Sequence, residues 1–166
     1  MSLRYAGYMP NDFINGEGVS VSLWTQGCPH HCKGCFNQCT WDFCGGAEVP
    51  PNLSQKIIEA ISANGIQRNF SVLGGEPLCD ENKEFVASVI TDVRKAFPHI
   101  KIYVWTGYTF NELIDKKDET IRKILYNIDV LIDGKFEEDK KDLTLKLRGS
   151  SNQNIVYLGD KRNEFV

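Results

Sequence analysis

Val19-Ser20-Val21-Ser22-Leu23-Trp24-Thr25-Gln26-Gly27-Cys28-Pro29-His30-His31-Cys32-Lys33-Gly34-Cys35 is the stretch on which the fold turns. Its first six residues are a β-branched and aromatic run, the composition of a buried strand. From Gly27 to Cys44 the composition changes to Gly, Pro, Asn and Cys, which reads as turns throughout. A strand therefore delivers three cysteines into a loop at its carboxyl end.

The same unit recurs further along the chain. After Pro50-Pro51, apolar residues at Leu53, Ile57, Ile58 and Ile61 form one helical stripe that stops at Asn64-Gly65. Asn69 to Leu73 reads as a strand ending in Gly74-Gly75. Asp80 to Phe97 carries the clearest helical spacing (Phe85, Val86, Val89, Ile90, Val93), ended by Pro98. Ile100 to Thr106 is the next strand, Phe110 to Ile114 and Thr120 to Tyr126 are short helices, Asp129 to Asp133 is a fourth buried strand and Asn154 to Leu158 the last. Strands separated by helix-length segments predict crossover units, an α/β fold and a mainly parallel sheet with helices outside it. Ligands in such sheets sit beyond the strand carboxyl ends. Gly27 to Cys35, Gly74 to Pro77 and Asp133 to Lys135 all follow expected strands, so one rim would gather them.

The chain has 166 residues, 42% hydrophobic and 25% charged, and shows no repeat, linker or low-complexity tract, so a single domain over 1–166 is expected. A complete eight-fold strand-helix barrel needs about 250 residues, so any barrel here is partial and open. A net charge of −3 gives no basic surface for nucleic acid. Apolar runs fall far short of the ~20 residues that cross a bilayer, and Met1 to Tyr5 lacks a secretory apolar region. The expectation is a cytoplasmic protein without membrane or nucleic-acid partners.

In that setting the six cysteines are better ligands or redox groups than a disulfide framework. Cys28, Cys32 and Cys35 are spaced C-x3-C-x2-C, close enough for three thiolates to face one centre. Three thiolates on a four-iron cluster leave one iron open to a small molecule. A structural zinc with His30, His31 or Cys39 as fourth ligand is the competing assignment on spacing alone. Cys39 and Cys44 fit redox or packing roles, and Cys79 fits a buried small hydrophobe.

C-x3-C-x2-C followed about forty residues later by Gly74-Gly75-Glu76-Pro77 resembles the radical S-adenosylmethionine (SAM) superfamily. Asn15 to Gly18, Gly27 to Asn37 with Thr40-Trp41, Trp105 to Tyr108, Asp129 to Phe136 and Arg148 to Gln153 are similar to the activators of the anaerobic (class III) ribonucleoside-triphosphate reductase. The likeness runs from about residue 5 to about residue 158. It implies a partial, open radical SAM barrel, with about six strand-helix units in its short members.

The resemblance also implies a [4Fe-4S] cluster on Cys28, Cys32 and Cys35, with SAM on the fourth iron. Gly74, Gly75 and Glu76 would meet the methionyl end, main chain at Gly34, Cys35 and Phe36 would border the adenine, and Thr106 and Asp133 would lie near SAM. It implies reductive cleavage of SAM, with the 5′-deoxyadenosyl radical taking hydrogen from a glycine Cα of the partner reductase. A flavodoxin- or ferredoxin-type donor would supply the electron. Such a step moves a hydrogen atom, needs no general base, and leaves His30, His31 and His99 as surface or loop residues. The alternatives are a small radical SAM enzyme acting on a small molecule, as in 7-carboxy-7-deazaguanine synthases, an activator of another glycyl-radical enzyme, and a zinc-binding interaction module.

Overall fold

In the computed structural model, which describes residues 2–162 and Phe165, the strand that opens the cysteine loop lies inside a seven-stranded sheet. Met1, Asn163, Glu164 and Val166, the remaining residues of the domain expected over 1–166, lie outside the described residues. The strands are β1 (Arg4–Asp12), β2 (Ser20–Thr25), β3 (Ala47–Glu48), β4 (Asn69–Gly74), β5 (Ile102–Trp105), β6 (Val130–Asp133) and β7 (Asn154–Tyr157). The helices are α1 (Leu53–Ile61), α2 (Lys83–Ala96), α3 (Phe110–Asp115) and α4 (Glu119–Asn127).

Spatial order is β3-β1-β2-β4-β5-β6-β7. The pairs β2–β4, β4–β5 and β5–β6 are parallel, whereas β1–β2, β1–β3 and β6–β7 are antiparallel, so five of the seven strands share one direction. Each crossover from β2 to β6 steps one strand the same way. Because parallel crossovers are right-handed, every helix falls on the same face. There Val21, Leu23, Phe70, Val72, Ile102 and Val104 pack against Leu53, Ile57, Phe85, Ile90 and Ile124 in the main core.

Alternation sends the intervening residues to the other face. Tyr103, Val130 and Ile132 form a small second core there with Trp105, Leu147 and Ile155. Next to it the face is built of serines, and the loop from β1 to β2 folds over them. Ser71 Oγ donates to Asn15 O at 2.6 Å, and a Cβ on Gly16 would fall 2.9 Å from Ser20 Oγ and 3.1 Å from Ser71 Oγ. Small side chains below and a glycine above let the loop lie close. From the other edge, the segment after β6 crosses the same face, with Trp105 Nε1 donating to Leu147 O at 2.8 Å and Lys146 bonding Glu17 at 2.8 Å.

The α/β expectation, the parallel centre and the open sheet agree with these strands. Three features differ. Four parallel strands carry three helical crossovers, fewer than the six units implied by the resemblance. The strand expected at Asn154 is present but runs antiparallel to β6. Strands β1 and β3 were not expected. Gly7 and Pro10 interrupt β1, its register shifts twice, and it is half-buried without alternation, so it lacks the period-2 signal of a strand.

Candidate functional site

The loop after β2 is closed by backbone bonds from Gly27 N to Thr40 O (2.7 Å) and Cys28 N to Trp41 O (3.1 Å), and Cys35 N donates to Cys32 O within it. The turn after β4 is laced to its base: Gly75 N donates to Thr25 O (3.0 Å) and Glu76 N to Gly27 O (2.9 Å). Asn82 adds side-chain bonds to Gln26 O and Glu76 O at 3.1 and 3.0 Å. The glycines are needed for this contact. Gly74 has φ +113°, and its Cβ would stand 2.6 Å from Thr25 N, while a Cβ on Gly75 would overlap Gly27 O.

Above these turns lies a cavity of about 420 Å³, within the range of small-molecule sites. Cys28, Cys32 and Cys35 share its wall with Phe36, Gly74, Gly75, Glu76 and Thr106, all expected at the site. Two expected residues are not brought to it. Gly34 stands outside the wall, at φ +76° against the Glu138 side chain. At the end of β6 the wall is Gly134. The buried Asp133 carboxylate instead accepts from Phe110 N (2.7 Å) and Asn154 N (3.2 Å), which places it as an organiser of the α3 start and of β7.

Sequence reasoning missed other parts of the wall, including Trp41, Trp105, Arg148 and Gln153. Gln153 Oε1 accepts from Gly149 N and Ser150 N at 2.9 and 3.1 Å while its Nε2 donates to Gly134 O at 2.9 Å. These bonds curl Arg148 to Gln153 into a closed turn. The Phe36 ring, 58% exposed, tilts onto Phe136 at 5.1 Å and borders the cavity.

His30 lies in a loop, one of the two places expected for it, but not on the surface: its side chain is 6% exposed and its Nε2 lies 2.7 Å from Glu76 Oε2. Its ring also occupies the place that a Gly107 Cβ would need and meets Tyr108 edge-on at 4.7 Å. Glu76 is buried with both oxygens engaged: Oε1 accepts from Leu78 N (2.9 Å) and Thr106 Oγ1 (2.7 Å), and Oε2 from Gly107 N (2.7 Å) as well as His30. A carboxylate so satisfied is a strut between loops, so any ligand contact at this turn falls to its main chain. His31 and His99 are exposed as expected, His31 stacking on Trp41 at 4.6 Å.

The thiols suit a cluster. Burial pushes Cys28 up, opposed by backbone N–H groups of His30 and His31. Burial likewise raises Cys32, opposed by the backbone N–H of Phe136, and Asn37 N donates to Cys35 Sγ at 3.4 Å. Amide donors aimed at sulfur stabilise thiolate and are a principal tuning element of iron–sulfur sites. Trp41 Nε1, on the same wall, is buried without a partner among the described residues, a further donor for a bound group. Among the described residues no three His, Cys, Asp or Glu side chains converge as the ligands of one metal ion do. The other three cysteines stay outside the cavity wall: Cys39 and Cys44 are exposed, and Cys79 is buried with its thiol pushed up to about 12 by burial.

Comparison with known proteins agrees with this arrangement. The model of the 4Fe-4S single cluster domain family matches residues 14–156, a span that holds the cysteine loop and the whole cavity wall. The anaerobic ribonucleoside-triphosphate reductase-activating protein of Pasteurella multocida is 41% identical over 93% of this chain and 97% of its own. Its namesake in Escherichia coli K12 is 36% identical over 94% and 99%, and that of phage T4 is 36% identical over 92% and 93%. With identity of this depth running nearly end to end, the chain belongs to the family of anaerobic ribonucleoside-triphosphate reductase-activating proteins.

Proposed function

We propose that this chain is a radical SAM activase that generates a glycyl radical on an anaerobic ribonucleoside-triphosphate reductase, and that its open sheet is a partial radical SAM barrel. The observation that carries the reading is the single cavity shared by Cys28, Cys32, Cys35 and the Gly74-Gly75 turn. Bound there, a [4Fe-4S] cluster and SAM would supply one-electron cleavage of the sulfonium and, from it, removal of a hydrogen atom from a partner's glycine Cα. The chain's residues would do the rest. Cys28, Cys32 and Cys35 would hold three irons, and main chain at Gly74 and Gly75 would receive the methionyl end. Thr106 would act by holding Glu76, and Trp105, Leu73 and Leu147 would keep water from the reacting centre.

A protein substrate is supported by the cavity mouth. Ile14 is 84% exposed, Leu143 77% and Phe36 58%, and all three border the cavity from different segments. Asp12 Oδ1 accepts from Ile14 N and Asn15 N at 2.9 and 3.2 Å, so the β1–β2 turn is held while it presents Ile14. An apolar rim around an opening is the surface a polypeptide loop needs.

The reading is tested by anaerobic reconstitution, which should give brown protein with about four irons per chain. A flavodoxin- or ferredoxin-type donor should then drive SAM cleavage, and added reductase should show a glycyl radical by electron paramagnetic resonance. A colourless protein that leaves SAM intact would defeat it.

A further inference from the structure

Two loops must hold still relative to each other if one small molecule is to bridge them. The cysteine loop follows β2 and the Gly74-Gly75 turn follows β4. Between Cys28 and Cys32, one side chain reaches across: His30, whose Nε2 meets Glu76 Oε2 at 2.7 Å, with exposures of 6% and 1% for the two side chains. Glu76 in turn gathers Thr106 Oγ1 and Gly107 N from the end of β5. Thr106 Oγ1 itself accepts from Tyr108 N, so its proton goes to Glu76. Every other partner of the carboxylate is a donor, which makes His30 Nε2–H a donor too. Gly107 has no Cβ where the imidazole lies, and Tyr108 closes the edge of the ring.

We infer that His30 is a positioning residue: through Glu76 it locks the cysteine loop to the ends of β4 and β5 and so sets the spacing that SAM must bridge. The inference rests on the cluster and SAM reading above. His30 borders the same cavity, but its Nε2 is taken up by Glu76. Its work is to remove a relative motion of two half-sites that a bound ligand would otherwise have to freeze. Loss of the bond should therefore weaken SAM binding more than cluster loading.

The test compares wild type with His30→Phe, which keeps a ring without the N–H, and His30→Gln, whose amide can still donate to Glu76. In apo-protein, hydrogen exchange at Gly107 N–H and Glu76 N–H should quicken tenfold or more in H30F and return to within threefold of wild type in H30Q. In reconstituted protein, iron content should be equal in all three. The SAM concentration that half-converts the electron paramagnetic resonance spectrum of the reduced cluster should rise tenfold or more in H30F and stay within threefold in H30Q. Unchanged exchange and unchanged SAM dependence in H30F would overturn the inference, as would equal defects in H30F and H30Q. If H30F does not fold, His30→Asn, too short to reach Glu76, replaces it in the same comparison. Wild-type protein that takes up no iron would refute the proposed function, and the apo-protein exchange would still decide the clamp.

Discussion

Gly75 is packed against the carbonyl of Gly27, so closely that a Cβ on Gly75 would overlap Gly27 O and approach Thr40 O to 2.9 Å. Both obstacles are backbone and cannot rotate away. Gly75→Ala should therefore part the β4 turn from the cysteine loop, with about 1–3 kcal/mol lost in urea unfolding, as for overpacking elsewhere. Iron uptake should fall with it. A variant as stable as wild type and fully loaded would show that the two loops tolerate separation.

Cys32→Ala should abolish cluster loading, whereas Cys79→Ala should retain about four irons per chain. Cys32 borders the cavity, but Cys79 is 1% exposed, outside the wall, with its Sγ–H donating to Glu76 O at 3.2 Å. Equal iron content in the two variants would contradict the ligand assignment.

Ile14→Glu and Leu143→Glu place a charge on the apolar mouth without touching the core. Exposed substitutions of this kind change stability by about ±0.5 kcal/mol. SAM cleavage should persist, while glycyl-radical yield on the reductase should drop about tenfold, the scale of one lost interface anchor. Full activation by both variants would place the docking surface elsewhere.

Lys83 Nζ lies 2.6 Å from Asp118 Oδ2 and 2.9 Å from Asp80 Oδ1, joining the start of α2 to the start of α4. The hydrogen bond from Lys83 lowers the Asp118 carboxyl below its usual range, and the bond to Asp118 raises Lys83 above its own. The depressed carboxyl contributes stability above about pH 4, lost as pH falls through its folded value; the raised lysine contributes below about pH 10.4, lost as pH rises beyond. Asp118→Asn keeps an acceptor for Ile121 N and removes the charge. It should lower stability at pH 7 by about 0.2–1 kcal/mol, with the difference fading in melts near pH 3. A difference that persists at pH 3 would mean that packing, and not the charge, is responsible.

The central strands were legible because each is a short apolar run bounded by Gly, Pro or Asn, and Phe85 to Val93 carries an unambiguous helical period. Strand β1 was not, since Gly7, Pro10 and its irregular pairing erase that pattern. The direction of β7 was illegible for a different reason. The connection from Gly134 to Gln153 has the length of a crossover but contains only a three-residue 3-10 helix, and its path is decided by contacts to Trp105 and Glu17.

Local chemistry was enough to mark the three-cysteine loop as a metal or cluster site, because three closely spaced thiols in a turn-rich segment suit few other roles, whereas the Gly74-Gly75 turn took its meaning from the resemblance that pairs it with those cysteines. Tertiary structure alone decided which polar side chains face the cavity. Asp133 is turned to the start of α3, and His30 is buried on a carboxylate 46 residues away. Such pairs depend on which strand lies beside which, and on where a glycine such as Gly107 leaves room for a ring. That information belongs to the packing of the sheet and is absent from any single stretch of the chain.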